Sequence, residues 1–381
     1  MTTRPLVVLG ATGSIGRQTL EVAAERGLEV AAVAARRPGP ELAEIAAKLP
    51  DAVVVATGGS RDERTWFRSQ VANDVRWGTD ALLEVSGRAD SVVVNGLVGS
   101  AGLRPTMAAL EAGNRVALAN KESLVAAGPL VTATAARTGG EIIPVDSEHS
   151  ALFQLVAGAS PAEVESLVLT ASGGPFRGWK AEQLADVTPA QALAHPTWDM
   201  GRRISVDSAT LANKGLEVIE AHVLFGIAYE RIDVVVHPQS LVHSLIRLTD
   251  GSFIAHVGAA DMRIPIAYAI THPERVASSV GFDLAGTNLE FHPVDRATFR
   301  ALDLAYESGS RGGLAPCVFN AADEIAVQAF LDGRLGFMGI AELIERTIEA
   351  TPAGQPESID HVLEVDAEAR ATAAALVAGA C

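Results

Sequence analysis

Two cysteines in 381 residues, Cys317 and Cys381, are too few for a disulfide framework or a cysteine-based zinc site, and they suit a reducing cytosol. Aromatic residues are scarce at 5%, so any core must rest on Ala, Val, Leu and Ile. Positive charge is in deficit: 30 Lys and Arg against 46 Asp and Glu leave a net charge of −16. That excludes a general nucleic-acid binder, which needs a basic surface to displace counterions from phosphates. No uninterrupted apolar run approaches the ~18 residues of a membrane span. The short apolar run before Gly10 reads as a first strand rather than a signal segment. The expectation is a cytoplasmic protein with neither membrane nor nucleic-acid partner.

What is present is an ordinary globular composition, 48% hydrophobic and 20% charged, on a chain too long for one core. From the start to about Asp146, short apolar runs at Leu6–Leu9, Val30–Ala34, Ala52–Ala56, Ser91–Val94, Val116–Ala119 and Ile142–Val145 alternate with amphipathic stretches. Those stretches include Arg17–Glu25, Glu41–Leu49 and Arg104–Ala112. Short Val-rich strands separated by helices predict an α/β, Rossmann-like, doubly wound parallel sheet over 1–146. Strands at Ser166–Leu169, Asp233–Val236, His243–Leu248 and Phe253–Val257, with one long helix at about Ala209–Phe225, predict a central α/β catalytic domain with a mixed sheet over 147–270. A Pro- and Gly-punctuated linker follows over 271–298. Phe319–Leu331, Ile340–Ala350 and Ala367–Val377 carry apolar residues three and four apart, which predicts a helical bundle over 299–381.

Several segments carry chemistry. Gly10-Ala-Thr-Gly13-Ser-Ile-Gly16 leaves the first strand and opens the first helix, where backbone N–H groups can hold a pyrophosphate. The second strand ends in Arg36 and Arg37, without the acid that would read a ribose hydroxyl. An arginine fork suits a 2′-phosphate, so NADPH is favoured, although either arginine singly could be a solvated surface residue. Asp146 and Glu148 stand at the end of the last Rossmann strand. Two apart in extended chain, they would point the same way, and such hard oxygens select Mg²⁺ or Mn²⁺, with Co²⁺ a third candidate. Alone, the pair reads more readily as a solvated acidic loop than as a metal site. Asp207 or Ser208 is placed to cap the helix that carries Asn213, Lys214 and Glu217. Asn213 and Glu217, four apart, share a face, a pattern of a phosphate site with a carboxylate beyond it; the alternative is a capped surface helix. Ser172 with Gly173 and Gly174 would make another anion cradle. His195 to Gly201 has the composition of a lid, though a lone histidine can be structural, as His237 and His243 are read to be. Asn120, Lys121 and Glu122 follow the fifth strand of the run, where Lys121 can polarise a substrate oxygen.

Taken together these segments resemble the 1-deoxy-D-xylulose 5-phosphate reductoisomerase family, from Gly10 through the helical C-terminus. The likeness is carried by Asn120–Leu124, Pro144–Glu148, Ser172–Phe176, Ser205–Glu217, Val236–Ser240 and Phe319–Ile325. The resemblance implies metal ligation by Asp146, Glu148 and Glu217. It implies substrate contacts from Lys121, Ser147, Glu148, Ser172, His195, Ser208, Asn213, Lys214 and Glu217, the phosphate held by Ser172, Ser208, Asn213 and Lys214, and catalytic roles for Lys121 and His195. Cofactor contacts follow for Thr12, Gly13, Ser14, Ile15, Asn120, Glu122 and Gly201. The chain departs from the family at three places: Ala35-Arg36-Arg37 stands where Gly-Lys-Asn or similar is frequent, Asp323 where Asn is usual, and Asp199 where a small polar residue is common.

The implied reaction is a metal-assisted retro-aldol/aldol rearrangement of a sugar phosphate followed by hydride transfer from NADPH, in isoprenoid precursor biosynthesis, by a homodimer. Two other readings stay open at this point. One is an NADPH-dependent dehydrogenase of the homoserine or semialdehyde type, which leaves the acidic trio unexplained. The other is a non-catalytic dinucleotide sensor, which needs neither trio nor phosphate helix.

Overall fold

The computed structural model describes residues 4–195, 197–198, 201–352 and 354–379. The chain forms two compact units, one of Met1–Ser123, Val131–Ser150 and Asp261–Val280, the other of Leu124–Leu130, Ala151–Ala260 and Gly281–Cys381.

The first unit is built on seven parallel strands: β1 (Leu6–Leu9), β2 (Val30–Ala35), β3 (Val53–Ala56), β4 (Val75–Trp77), β5 (Val92–Asn95), β6 (Arg115–Leu118) and β7 (Glu141–Pro144), in the order β4-β3-β2-β1-β5-β6-β7. Strands β1, β2, β5 and β6 are buried along their whole length, which is why they read as runs of Val, Ala and Leu, interrupted only by Asn95 at the end of β5 and Arg115 at the start of β6. Helices α1 (Ser14–Arg26), α2 (Pro40–Lys48), α3 (Arg61–Gln70), α4 (Gly78–Ser86), α5 (Leu103–Glu111) and α6 (Lys121–Thr138) join successive strands, and α6 is kinked at Ala127, just before Pro129. The doubly wound expectation holds. The edge strand β4 was not expected; with three residues, two of them Arg76 and Trp77, it has no apolar run to betray it. The strand order reverses between β1 and β5, the switch point where open sheets take ligands. A Cβ on Gly16 would lie 2.3 Å from the Gly10 oxygen, so α1 can begin directly against the β1 turn only with glycine there.

The second unit holds a mixed sheet, as expected from its alternating strands. Its order is β11-β10-β8-β9-β12, from β8 (Val164–Ala171), β9 (Ile232–Val236), β10 (Val242–Leu248), β11 (Phe253–Val257) and β12 (His292–Pro293). β8 and β9 run parallel and the other neighbours antiparallel. After α7 (Ser147–Ala157) and the short α8 (Ala181–Leu184) and α9 (Pro189–Ala192) come α10 (Arg202–Thr210) and α11 (Ala212–Phe225). The single long helix expected over about 209–225 is α11, which begins three residues later, and α10 is a separate helix before it. Leu211 separates them in the left-handed conformation, φ 62°. In the first unit, α12 (Arg263–Thr271) packs on α1 and on β6 and β7, while Arg115 donates to the His272 oxygen at 2.6 Å. The C-terminal bundle comprises α13 (Arg300–Arg311), α14 (Ala315–Leu331), α15 (Gly339–Ala350) and α16 (Ile359–Gly379), with α14 packed against all three others. Its core is aliphatic apart from a few Phe rings such as Phe319 and Phe330, in line with the shortage of aromatics. No helix among the described residues is long and apolar enough to cross a membrane.

Candidate active site

In the first unit, Thr12, Gly13, Ser14 and Ile15 form the turn from β1 into α1. Gly13 is the N-cap, no side chain caps the helix, and Gly13 and Ser14 are exposed, so the helix start is open to an anion. Arg36 and Arg37, beyond β2, line a cavity of about 430 Å³ with Gly58, Gly59, Ser60 and Glu63. Ser60 and Glu63 close a capping box at the start of α3, a Ser-x-x-Glu pattern that was readable in the sequence and overlooked.

Asn120 is fully buried, and its amide donates to the oxygens of Leu97 and Gly99 and to Glu122. Glu122 in turn accepts from the Gly99 N–H at 2.9 Å. The two side chains thus fix the loop that follows β5. Lys121, almost buried, ion-pairs with Asp146 at 2.6 Å, and His149 Nδ1 lies 3.4 Å from the other Asp146 oxygen. Burial alone would raise the Asp146 carboxyl; the Lys121 ammonium and then His149 outweigh it and hold the group well below the ordinary carboxylate range.

Asp146 and Glu148 are not two alternate positions of a strand. β7 stops at Pro144 and Ser147 begins α7, so Asp146 precedes the helix and Glu148 sits in its first turn. Helical curvature still brings the two carboxylates within 4.8 Å of each other. Ser147 hydrogen-bonds Glu148.

In the second unit, Ser172 Oγ and His195 Nε2 are 2.9 Å apart. His195 Nδ1 accepts the N–H groups of Thr197 and Trp198, at 3.2 and 2.9 Å, so the ring proton sits on Nε2 and points at Ser172. Burial keeps the imidazole below its usual pKa and hence neutral at physiological pH. Of the segment read as a lid, Pro196, Asp199 and Met200 lie outside the described residues, as does Cys381; Gly201 is the N-cap of α10. Asp207 and Ser208 do not cap a helix start, because α10 begins five residues earlier, and they occupy its last turn instead. On α11, Asn213 donates to Glu217 at 2.5 Å and Lys214 pairs with the same carboxylate. The expected shared face is there. Gly174, at φ 64°, approaches α10 so closely that a Cβ would lie 2.9 Å from the Ser208 oxygen. The Ser172 turn and Ser208 are therefore in direct backbone contact. His237 is held by the Glu290 oxygen and the Leu241 N–H, and His243 by the Ala259 oxygen, as structural roles require.

Three family models match the chain: 1-deoxy-D-xylulose 5-phosphate reductoisomerase over residues 6–128, and its C-terminal domain descriptions over residues 142–225 and 257–372. The curated reductoisomerase of Nocardia farcinica is 49% identical over 98% of this chain and 94% of its own length. The chain belongs to the 1-deoxy-D-xylulose 5-phosphate reductoisomerase family. The relative from Mycolicibacterium smegmatis is 48% identical over the same shares. Among solved structures, the reductoisomerase from Zymomonas mobilis in complex with NADPH superposes with a TM-score of 0.91 at 40% identity, covering 98% of this chain and 99% of that one. A reductoisomerase in complex with NADPH, fosmidomycin and magnesium superposes at 0.92 with 35% identity, covering 98% of each chain.

Within this family framework, the feature that sequence reasoning missed entirely is Arg203. Its guanidinium reaches Asn320 at 3.1 Å, Glu324 at 3.0 Å, and Asp323 and Asp207 at 3.4 Å. Only a basic residue one turn before Asp207 on α10 hinted at it; its partners on α14 lie more than a hundred residues away in the chain.

Proposed function

We propose the following division of labour for the family reaction, the NADPH- and divalent-metal-dependent conversion of 1-deoxy-D-xylulose 5-phosphate to 2-C-methyl-D-erythritol 4-phosphate. Asp146, Glu148 and Glu217 hold the cation. Their donor set fits a hard ion: all three offer carboxylate oxygens, and Asp146 is kept ionised by Lys121 and His149. When bound, the cation lends Lewis acidity to adjacent carbonyl and hydroxyl oxygens of the substrate, and NADPH lends a hydride.

The protein's own groups bind and orient. Ser172, Ser208, Asn213 and Lys214 hold the phosphate. Support comes from the contact between the Gly174 turn and Ser208, and from the pairing of Asn213 and Lys214 through Glu217 at the start of α11. His195, neutral and donating from Nε2, orients Ser172 and a substrate oxygen. Lys121 and Ser147 contact the substrate beside Asp146 and Glu148. Thr12, Gly13, Ser14 and Ile15 receive the pyrophosphate of NADPH, and Arg36 and Arg37 its 2′-phosphate. Gly201, with Asn120 and Glu122 through the loop after β5, borders the nicotinamide. Residues 1–146 form the nucleotide domain, 147–270 the catalytic domain, 271–298 a connection and 299–381 a bracing bundle.

The observation that carries this reading is near-50% identity spread over 98% of the chain. It disfavours the simple dehydrogenase and the sensor. Purified protein with NADPH, Mg²⁺ and 1-deoxy-D-xylulose 5-phosphate should oxidise NADPH, stop on addition of EDTA and resume with excess Mg²⁺. Turnover indifferent to EDTA would support the dehydrogenase, and nucleotide binding without turnover the sensor. A cytoplasmic homodimer completes the proposal. The edge strand β11 exposes Phe253 at 55% and Val257 at 40% on one face and Ile254 at 44% on the other, an apolar edge that a second copy of the chain would cover. Sedimentation velocity should give a dimer, and Phe253→Lys should weaken it.

A further inference from the structure

Arg203 lies in the first turn of α10 with its side chain about one-fifth exposed, between Asp207 on its own helix and Asn320, Asp323 and Glu324 on α14. The network continues inward. Asn320 donates to Glu324 at 3.2 Å, Arg370 on α16 pairs with Glu324 at 2.9 Å, and the same guanidinium grips Asp366 at 2.7 and 3.0 Å. Asn320 and Asp323 are completely buried, and Asp207 nearly so.

Four carboxyls facing two guanidiniums make poor cement. Apolar side chains of similar volume would stabilise the α10–α14 contact at least as well, since desolvating charge offsets most of the Coulomb gain. What such a network confers is a single register, because the buried carboxylates of Asp207, Asp323 and Glu324 are tolerable only while they stay opposite the Arg203 guanidinium. The register matters for what hangs from the far end of α10. Ser208 follows Asp207 directly, and the Gly174 turn packs on the Ser208 backbone. Leu211 then enters the left-handed conformation, costly for a branched residue, before α11 delivers Asn213 and Lys214. A small rotation of α10 would move Ser208 against Ser172 and re-aim α11.

We propose that Arg203 is a positioning residue for the phosphate end of the substrate, clamping α10 to α14 so that Ser208, Asn213 and Lys214 converge with Ser172. The proposal rests on the reading of those four as phosphate ligands.

The test uses the full-length protein with NADPH and Mg²⁺, and the variants Arg203→Met, Arg203→Lys, Asn320→Ala and Ser208→Ala. For Arg203→Met, KM for 1-deoxy-D-xylulose 5-phosphate and the inhibition constant of inorganic phosphate should each rise about tenfold, as sub-ångström misplacement of a binding group implies. kcat and the Kd for NADPH should stay within about threefold. Arg203→Lys should recover part of the loss, since an ammonium keeps one carboxylate contact but not the fork. Should Arg203→Met not fold, Asn320→Ala, which removes one acceptor, should show the same split on a smaller scale. Unchanged KM and phosphate inhibition in the folded variants overturn the proposal, as does an equal loss of kcat and NADPH affinity. Ser208→Ala separates the two levels: if it leaves KM and phosphate inhibition untouched, the reading of the phosphate site has failed; if it raises both while the Arg203 variants do not, the clamp has failed.

Discussion

Asp323 is a carboxylate where the family resemblance implies an asparagine. It is completely buried on α14, and burial, the largest influence, lifts its pKa from 3.8 to about 6 despite the nearby Arg203. An acid whose folded pKa is raised contributes stability below its unfolded value and loses it as pH rises through the folded value. Above about pH 6 the wild-type protein therefore bears the full penalty of an ionised Asp323. A shift of roughly 2 units corresponds to about 3 kcal/mol, with about half of it already present at pH 5. Asp323→Asn removes the titration and keeps an oxygen for Arg203. The variant should be more stable than wild type by up to about 3 kcal/mol at pH 8, a rise in Tm of up to roughly 6–12 °C for a unit of this size. The gain should shrink at pH 5 and be close to nil at pH 4. Thermal melts by circular dichroism at constant ionic strength from pH 4 to 8 measure it, and substrate KM at pH 8 should remain within twofold. A variant no more stable at pH 8, or one whose gain ignores pH, refutes the reasoning.

Three further outcomes follow from the proposed site. Glu217→Gln should lose nearly all turnover and bind Mn²⁺ weakly while keeping NADPH affinity; full activity at limiting Mn²⁺ would remove Glu217 from the ligand set. Replacing Arg36 and Arg37 together by Ala should raise KM for NADPH by about tenfold or more and leave that for NADH nearly unchanged, because only the former carries the 2′-phosphate; equal effects would acquit both arginines. Gly174→Ala places a Cβ 2.9 Å from the Ser208 oxygen at a positive φ, so it should weaken inhibition by inorganic phosphate about tenfold or more with NADPH binding intact; unaltered inhibition would show that the turn and the helix do not share a ligand.

The parallel sheet was legible because strands buried on both faces are largely apolar, and those runs stand out against amphipathic helices. β4 escaped because an edge strand of three residues has no such obligation. The break at Leu211 has no local signature at all: a leucine forced into a left-handed turn is a demand of the packing around it, not of its own preference. Asp146 and Glu148 were paired for the wrong reason, strand alternation, whereas a helix begins between them. Asn120 and Glu122 show what a motif conceals, since both brace a loop by bonds to its backbone that no spacing rule could reveal. The residues proposed for metal and phosphate stood out through their motifs; the Arg203 network did not, because its two sides are far apart in the chain.

That separation has a bearing on how the protein comes into being. As the chain leaves the ribosome, every strand of the seven-stranded sheet and the late-arriving α12 have emerged by Val280, so this unit can assemble while synthesis is under way. The anchor for Arg203 arrives only with α14, near the end of translation. A nascent chain would thus have its seven-stranded sheet complete well before α14 supplies the partners that hold α10 in register.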